Sequence, residues 1–373
     1  MKDGNSIGWK RISILAGALC AYLIGAATAT GQESLQFYAS HGYISIASIV
    51  IASILFGWAG SSIIALGRDT SNTNSSAYKH YFGNVIGTVF EWFVIMFLFC
   101  LVVTLISGSG TVIAEFYGVN KLVGSTLMAG LIFITLLLSL NKLVDVLGWV
   151  APLIIIFIII ISVISITNNM NGLINAGEVL GEIEAVRAVN SWWFSGVLYS
   201  AFGITVAAPF LLQMGLTANS HKEAFSGIWA GIVVYALTTV LITLALLANL
   251  TSVFDKEAPL VFLANQLHPV LAIVFSIVIY AGIYTTAAPM FWYVCNRISS
   301  EKTRKHTIIA SILIVIAFIG GIYLPFGKLV GTVYPLTGYL GIFLYIAIGY
   351  SQIKNRMKSR VSSNAEKELL NKN

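Results

Sequence analysis

Apolar runs recur along this 373-residue chain at a density that no soluble core could absorb. Stretches 94–106, 127–140 and 153–166 hold no charged residue. Each lies in a window long enough to cross a hydrocarbon layer about 30 Å thick. Inside lipid every backbone N–H and C=O must be paired within the protein, so only helices or closed barrels can span. A barrel would show segments of about ten residues alternating in hydropathy, and this chain has continuous runs instead. Charged residues make up 10% of it, against about 25% in ordinary soluble domains, and its mean hydropathy is +0.87. The sequence encodes an all-α integral membrane protein.

Ten spans are read, at 9–40, 44–66, 85–109, 122–140, 143–167, 192–215, 224–250, 270–296, 307–323 and 329–350. Polar loops 67–83, 168–190, 251–268 and 297–306 separate most of them, and 354–373 is a polar, basic tail. The charges test this map, because cytoplasmic loops are enriched in Lys and Arg. With the amino terminus inside, only Lys121, Arg187, Lys256 and Lys328 fall outside, so 17 of the 21 basic residues are cytoplasmic. Shifting the count by one span would scramble that segregation. Both termini are therefore expected in the cytoplasm, with the chain in the plasma membrane. The net charge of +6 reports orientation and not a stripe for nucleic acid. Cys20, Cys100 and Cys295 lie within spans at no metal-type spacing and read as small buried hydrophobes. Lys10-Arg11 ahead of an apolar run resembles a signal peptide, but no convincing cleavage site follows, so the segment is kept as the first span.

Two spans are interrupted at corresponding places. The first reads Leu23-Ile24-Gly25-Ala26-Ala27-Thr28-Ala29-Thr30-Gly31-Gln32-Glu33, the second Tyr199-Ser200-Ala201-Phe202-Gly203-Ile204-Thr205-Val206-Ala207-Ala208-Pro209. Each half runs from a broken span through a long apolar one, a third with polar groups and a shorter fourth. A fifth with a proline, Pro152 or Pro335, completes it. Five is odd, so the halves enter the membrane in opposite orientation, the inverted repeat associated with a midplane solute site and alternating access. The expected fold is about ten transmembrane helices in a five-plus-five inverted repeat with helices 1 and 6 broken. The expected divisions are a first repeat at 1–167, an extracellular loop at 168–190, a second repeat at 191–350 and a cytoplasmic tail at 351–373.

Gly25 and Gly31 each lower helix stability by about 1 kcal/mol relative to Ala, so unwinding between them is cheap; the same glycines would also serve close helix packing. Unwinding would free carbonyls for a cation and make a new helix amino terminus near residues 31–33, suited to an anionic group. Ala29, Thr30 and Gly31 are thereby candidate solute contacts. Glu33 has three competing roles: capping the half-helix, carrying a proton, or meeting a cationic solute. Glu91 is either a buried coupling group or a residue that snorkels to the interface and pairs with a loop cation. Lys142 and Asp145 read as an interfacial pair. In the second break Pro209 removes a donor, and Gly203 and Thr205 make unwinding tolerable beside a cavity. Tyr22, Tyr199 and Phe202 are pocket walls or ordinary packing aromatics. Thr285 and Thr286 on their own read as hydroxyls bonded back to their own helix.

The stretch from Gly25 to Glu33 resembles the GAGFATGQE signature of the YkvI-type bacterial membrane proteins, as do Ser107-Gly108-Ser109-Gly110-Thr111-Val112-Ile113-Ala114-Glu115 and Tyr334-Pro335-Leu336-Thr337-Gly338-Tyr339-Leu340-Gly341. This chain departs from that group at Ala27 and Thr28, where Gly-Phe is usual, and at Ser107 and Ser109, where alanines are commoner. The group is similar to the amino acid–polyamine–organocation superfamily with its LeuT-type fold, which implies a transporter without supplying a substrate. In sodium-coupled members an ion is held by carbonyls of the first break and two adjacent hydroxyls of the eighth helix. Here Gly25 and Thr28 match the former and Thr285 and Thr286 the latter, and hard oxygen ligands suit Na⁺. Proton-coupled relatives often carry a lysine in the fifth span, and none lies deep in 143–167. Phosphate loops, catalytic triads and metal clusters are absent from the sequence, and His41, His80, His221, His268 and His306 fall in loops or at span edges. The resulting expectation is a non-enzymatic secondary transporter in the lipid bilayer, moving a small organic solute such as an amino acid or amine with Na⁺, with no cofactor and no nucleic-acid partner. A non-transporting receptor on the same scaffold and a proton-coupled transporter are the alternatives.

Overall fold

The computed structural model describes residues 8–69, 76–138, 144–183, 186–300 and 303–370. The first span is three short helices, α1 (Trp9–Leu23), α2 (Ala26–Thr30) and α3 (Gln32–Phe37), followed by a 3₁₀ segment, Ala39–Ile44. Next come α4 (Ser45–Asp69), α5 (Ala77–Phe82), α6 (Asn84–Tyr117), α7 (Lys121–Leu138), α8 (Val144–Asn168), α9 (Met170–Ile174) and α10 (Ala176–Glu182). The second half holds α11 (Trp192–Thr217), α12 (His221–Ala248), α13 (Leu250–Val253), α14 (Pro259–Leu267), α15 (Pro269–Ile298), α16 (Arg304–Tyr323) and α17 (Phe326–Leu370). Among the described residues seven helical stretches are long and apolar enough to cross a membrane, with α7 and α8 as shorter apolar helices. The expected pair of Lys142 and Asp145 lies outside the described side chains.

Short helices occupy segments that read as polar loops: α5, α9, α10, α13 and α14. The tail is also helical, since α17 continues from the last apolar stretch to Leu370. Residues 351–373 contain neither Gly nor Pro, the two residues that most disfavour helix, so the helix meets no strong stop there.

Apolar residues face outward as much as inward, as lipid requires. On α16, Ile308, Ile312, Val315, Ile316 and Ile319 are each about half exposed, whereas Ala310, Ile314, Ala317 and Gly321 are buried on the opposite face. Small side chains let helices approach, and bulky ones meet lipid. Two apolar clusters fill the interior. One joins α1, α4, α11, α12 and α17 around Phe37, Phe56, Ile204, Leu211 and Leu344; the other joins α6, α7, α8 and α15 around Ile106, Met128, Ile158 and Phe275.

The second expected break is not there. α11 is one uninterrupted helix from Trp192 to Thr217 with Pro209 inside it. Proline at 209 removes the N–H that would serve the carbonyl of Thr205, four residues back, and its ring crowds that turn. The vacancy is filled from another helix: the buried Tyr78 hydroxyl of α5 donates to the Thr205 carbonyl at 2.7 Å. The Tyr22 hydroxyl of α1 donates to the next carbonyl, Val206, at 2.8 Å. Glycines clamp α11 between its neighbours as well. A Cβ on Gly67 of α4 would overlap the Leu212 carbonyl, and one on Gly341 of α17 would overlap the Ala201 carbonyl. A stapled and tightly packed proline helix has no unwound stretch.

Candidate functional site

The first break is present, in a form that glycine chemistry explains. The α1 hydrogen-bond ladder ends with Ile24 N–H donating to Cys20 at 2.8 Å, and the chain extends through Gly25 (φ −78°, ψ −174°). One helical turn, α2, forms before Gly31, which sits in the left-handed region at φ +85° and starts α3. That conformation is close to free for glycine and costs other residues about 1–2 kcal/mol. The stretch between the glycines is thus helical and not unwound, with a kink at each end.

A cavity of about 860 Å³, its open mouth included, lies against this kinked segment. Its walls follow helical periodicity. From α4 come Ile49, Ala52, Ser53 and Phe56, and from α11 Tyr199, Phe202, Gly203 and Val206, both at spacings of three, four and seven. α15 contributes Thr286 and Met290, and α12 contributes Ile232 and Tyr235. Phe202 stacks on Tyr334 with ring centres 4.2 Å apart, and Tyr22 stacks on Phe210 at 4.5 Å.

Glu33 is the one acidic residue of the lining and is buried. The Tyr199 hydroxyl donates to its Oε2 at 2.5 Å and the Thr28 hydroxyl donates to the same oxygen at 2.7 Å. The Tyr235 hydroxyl lies 2.8 Å from that of Tyr199, which extends the chain of hydroxyls, and Tyr334 reaches the same carboxyl group. No Lys, Arg or His is among the lining residues. A carboxylate held only by hydroxyls in a low-dielectric wall interacts strongly with whatever charge enters.

Of the expected solute contacts, Tyr22, Glu33, Tyr199, Phe202 and Gly203 line this cavity, and Ala29, Thr30, Gly31 and Thr205 do not. The α2 turn rotates Ala29 into the apolar core, and Thr30 donates to Ala27 within its own turn at 2.9 Å. Gly31 packs under α14, where a Cβ would come within 3.0 Å of Leu260. Thr205 lies off the 199–202–203–206 face and donates to Ala201 of its own helix at 2.8 Å.

Of the expected cation ligands, Gly25 and Thr286 line the cavity side by side: a Cβ on Gly25 would sit 3.8 Å from the Thr286 hydroxyl. Thr285 is off that face, and both threonines donate to Gly282 at 2.9 Å. The carbonyls of Gly25 and Thr28 are not freed, since they accept from Ala29 and Gly31 at 3.0 Å each. Each retains its second lone pair. Pro289 removes the N–H that would serve the Thr285 carbonyl, so α15 has one main-chain oxygen relieved of its helix partner.

Glu91 is away from the cavity. It is itself buried, accepts from Arg297 at 2.7 Å and has Lys79 of α5 at 3.7 Å. Sequence reasoning missed Tyr38, Phe56, Tyr235 and Tyr334. Tyr334 opens one of the quoted motifs and could have been found there. Phe56 and Tyr235 are aromatics in apolar runs, and Tyr38 directly follows Phe37, with nothing to separate wall from core.

A kinked first helix beside a cavity in an all-α membrane protein accompanies a LeuT-like fold. MhsT, solved in complex with L-phenylalanine, shares it at a TM-score of 0.56, with 12% identity over 91% of this chain and 89% of that one. In sequence the chain is similar to the uncharacterised membrane protein YkvI of Bacillus subtilis, 23% identical over 336 residues, covering 88% of this chain and 93% of YkvI. A looser likeness, TM-score 0.44 at 12% identity over 95% of this chain and 74% of the other, is to a manganese transporter of Eremococcus coleocola. No family model matches the chain.

Proposed function

We propose that this protein is a secondary transporter that carries a small organic solute, an amino acid or related amine, across the plasma membrane by alternating access coupled to Na⁺. The observation that carries this reading is the cavity at the kinked first helix, where Glu33, Tyr199 and Gly25 meet α4, α11, α12 and α15. Solute sites at the midplane beside a discontinuous helix are the hallmark of such carriers. The segregation of 17 basic residues from four fits ten spans with both termini cytoplasmic, the arrangement such a carrier would have.

The cation would be held by Gly25 and Thr286, with Thr28 and the Thr285 carbonyl as the further oxygens nearby in sequence. All are hard donors of the kind Na⁺ takes. Proteoliposomes test the reading: an imposed Na⁺ gradient drives accumulation of one member of an amino acid and amine panel. Thr285→Ala with Thr286→Ala abolishes the sodium dependence. Accumulation driven by a proton gradient and lost in Glu33→Gln makes the coupling ion a proton. Binding without uptake makes the protein a receptor.

A further inference from the structure

We infer that the cavity selects organic amines lacking a free carboxylate, with the cationic nitrogen against Glu33 and the organic body among the aromatic rings. This rests on the cavity being the solute site proposed above. Its charge inventory is one-sided: among the lining residues Glu33 is the single acid and no basic side chain balances it. A zwitterionic amino acid would bring a second carboxylate into a buried space where the Na⁺ proposed at Gly25 and Thr286 is the one counter-charge for both, and an incompletely paired buried anion is heavily penalised.

At the start of α3 the first two N–H groups are already engaged. Gly31 N–H donates to the Thr28 carbonyl at 3.0 Å, and Gln32 N–H points to the Thr30 hydroxyl at 3.4 Å. Gly31 itself packs under Pro259 and Leu260 of α14. What the cavity does offer suits a cation. The bonds from Thr28 and Tyr199 both end on Oε2 of Glu33. The rings of Tyr199, Phe202 and Tyr334 share the cavity lining with Glu33, and aromatic faces attract an ammonium group within about 6 Å. Tyr199 already receives the Tyr235 hydroxyl, so the carboxylate is oriented before the ligand arrives. Met290 and Ile232 add an apolar wall for the body.

The test uses the purified full-length protein in detergent and matched pairs of amino acid and decarboxylated amine: alanine with ethylamine, leucine with isoamylamine, phenylalanine with 2-phenylethylamine, lysine with cadaverine. A ligand that binds the folded state raises its melting temperature. The expected result is that at least one amine binds ten-fold or more tightly than its parent amino acid. Glu33→Gln abolishes that shift, and Glu33→Asp, which keeps the charge should Glu33→Gln fold poorly, retains a weaker one. Stronger binding by the amino acids, equal binding within pairs, no binding by any amine, or an amine shift surviving in a folded Glu33→Gln protein overturns the inference. Gradient-driven uptake of an amino acid in preference to its amine overturns this inference alone and leaves the transporter reading standing. Amine binding without uptake overturns the transporter reading alone.

Discussion

Tyr78 holds α11 at its proline through a single hydroxyl. Tyr78→Phe keeps the ring that packs on Phe90, 5.3 Å away between centres, and deletes only the hydroxyl that serves the Thr205 carbonyl. A buried acceptor left without a donor costs about 1–3 kcal/mol, while hydrogen bonds between helices in membranes average about 0.6 and reach about 1.7 kcal/mol. The expected loss is therefore about 1–2 kcal/mol, roughly a 5- to 30-fold change in the ratio of folded to unfolded protein. Pro209→Ala restores an amide N–H four residues after Thr205, so in that background the carbonyl no longer depends on Tyr78. Equilibrium unfolding in detergent micelles across the four proteins of the double-mutant cycle measures the coupling, expected near 1 kcal/mol. Hydrogen exchange should rise at 205–210 in Tyr78→Phe alone. An equal loss from Tyr78→Phe in both backgrounds would refute the staple, since the hydroxyl would then matter for a reason unrelated to proline.

Glu91→Gln removes the acid shared by Arg297 and Lys79, whose side chains are 39% and 37% exposed. The Glu91 side chain is itself 8% exposed, so the expected cost is about 1–3 kcal/mol, with a weaker dependence of melting temperature on salt than in the unaltered protein; an unchanged salt dependence contradicts the pairing. Gly31→Ala and Gly118→Ala both force a left-handed backbone, at φ +85° and +64°, but only position 31 also meets Leu260. Thermal unfolding should place Gly118→Ala at about 1–2 kcal/mol and Gly31→Ala clearly beyond it; equal losses would mean that α14 yields freely.

Much of this architecture was legible because lipid leaves few choices. Apolar runs at 94–106 and 270–296 fall inside α6 and α15, since a span must be helical wherever backbone cannot meet water. The break at Gly25 and Gly31 was also legible, because those glycines carry it locally. Pro209 misled for the opposite reason: its lost hydrogen bond is made good by Tyr78, more than a hundred residues earlier in the chain, and a tertiary repair leaves no local mark. The site errors follow from that. A continuous α11 shows the cavity one face, so Tyr199, Phe202 and Gly203 line it together and Thr205 turns away. A helical α2 likewise carries Ala29 and Thr30 off the cavity. Tyr38, Tyr235 and Tyr334 gather around Glu33 from three different helices or turns, which no spacing rule within one span could reveal.

Alternating access requires this one cavity to open in turn to each side of the membrane, and that can be measured before any solute is known. Ser53 lines the cavity and donates only to Ile49 of its own helix, at 2.8 Å, so Ser53→Cys is a mild reporter once the free Cys20, Cys100 and Cys295 have been replaced. Membrane-impermeant thiol reagents are applied to sealed, oriented vesicles from either face. Alternating access predicts that the same cysteine is labelled from both sides, that an imposed Na⁺ gradient shifts the two rates in opposite directions, and that Glu33→Asp preserves both. Labelling confined to one face under every gradient would contradict the transport cycle.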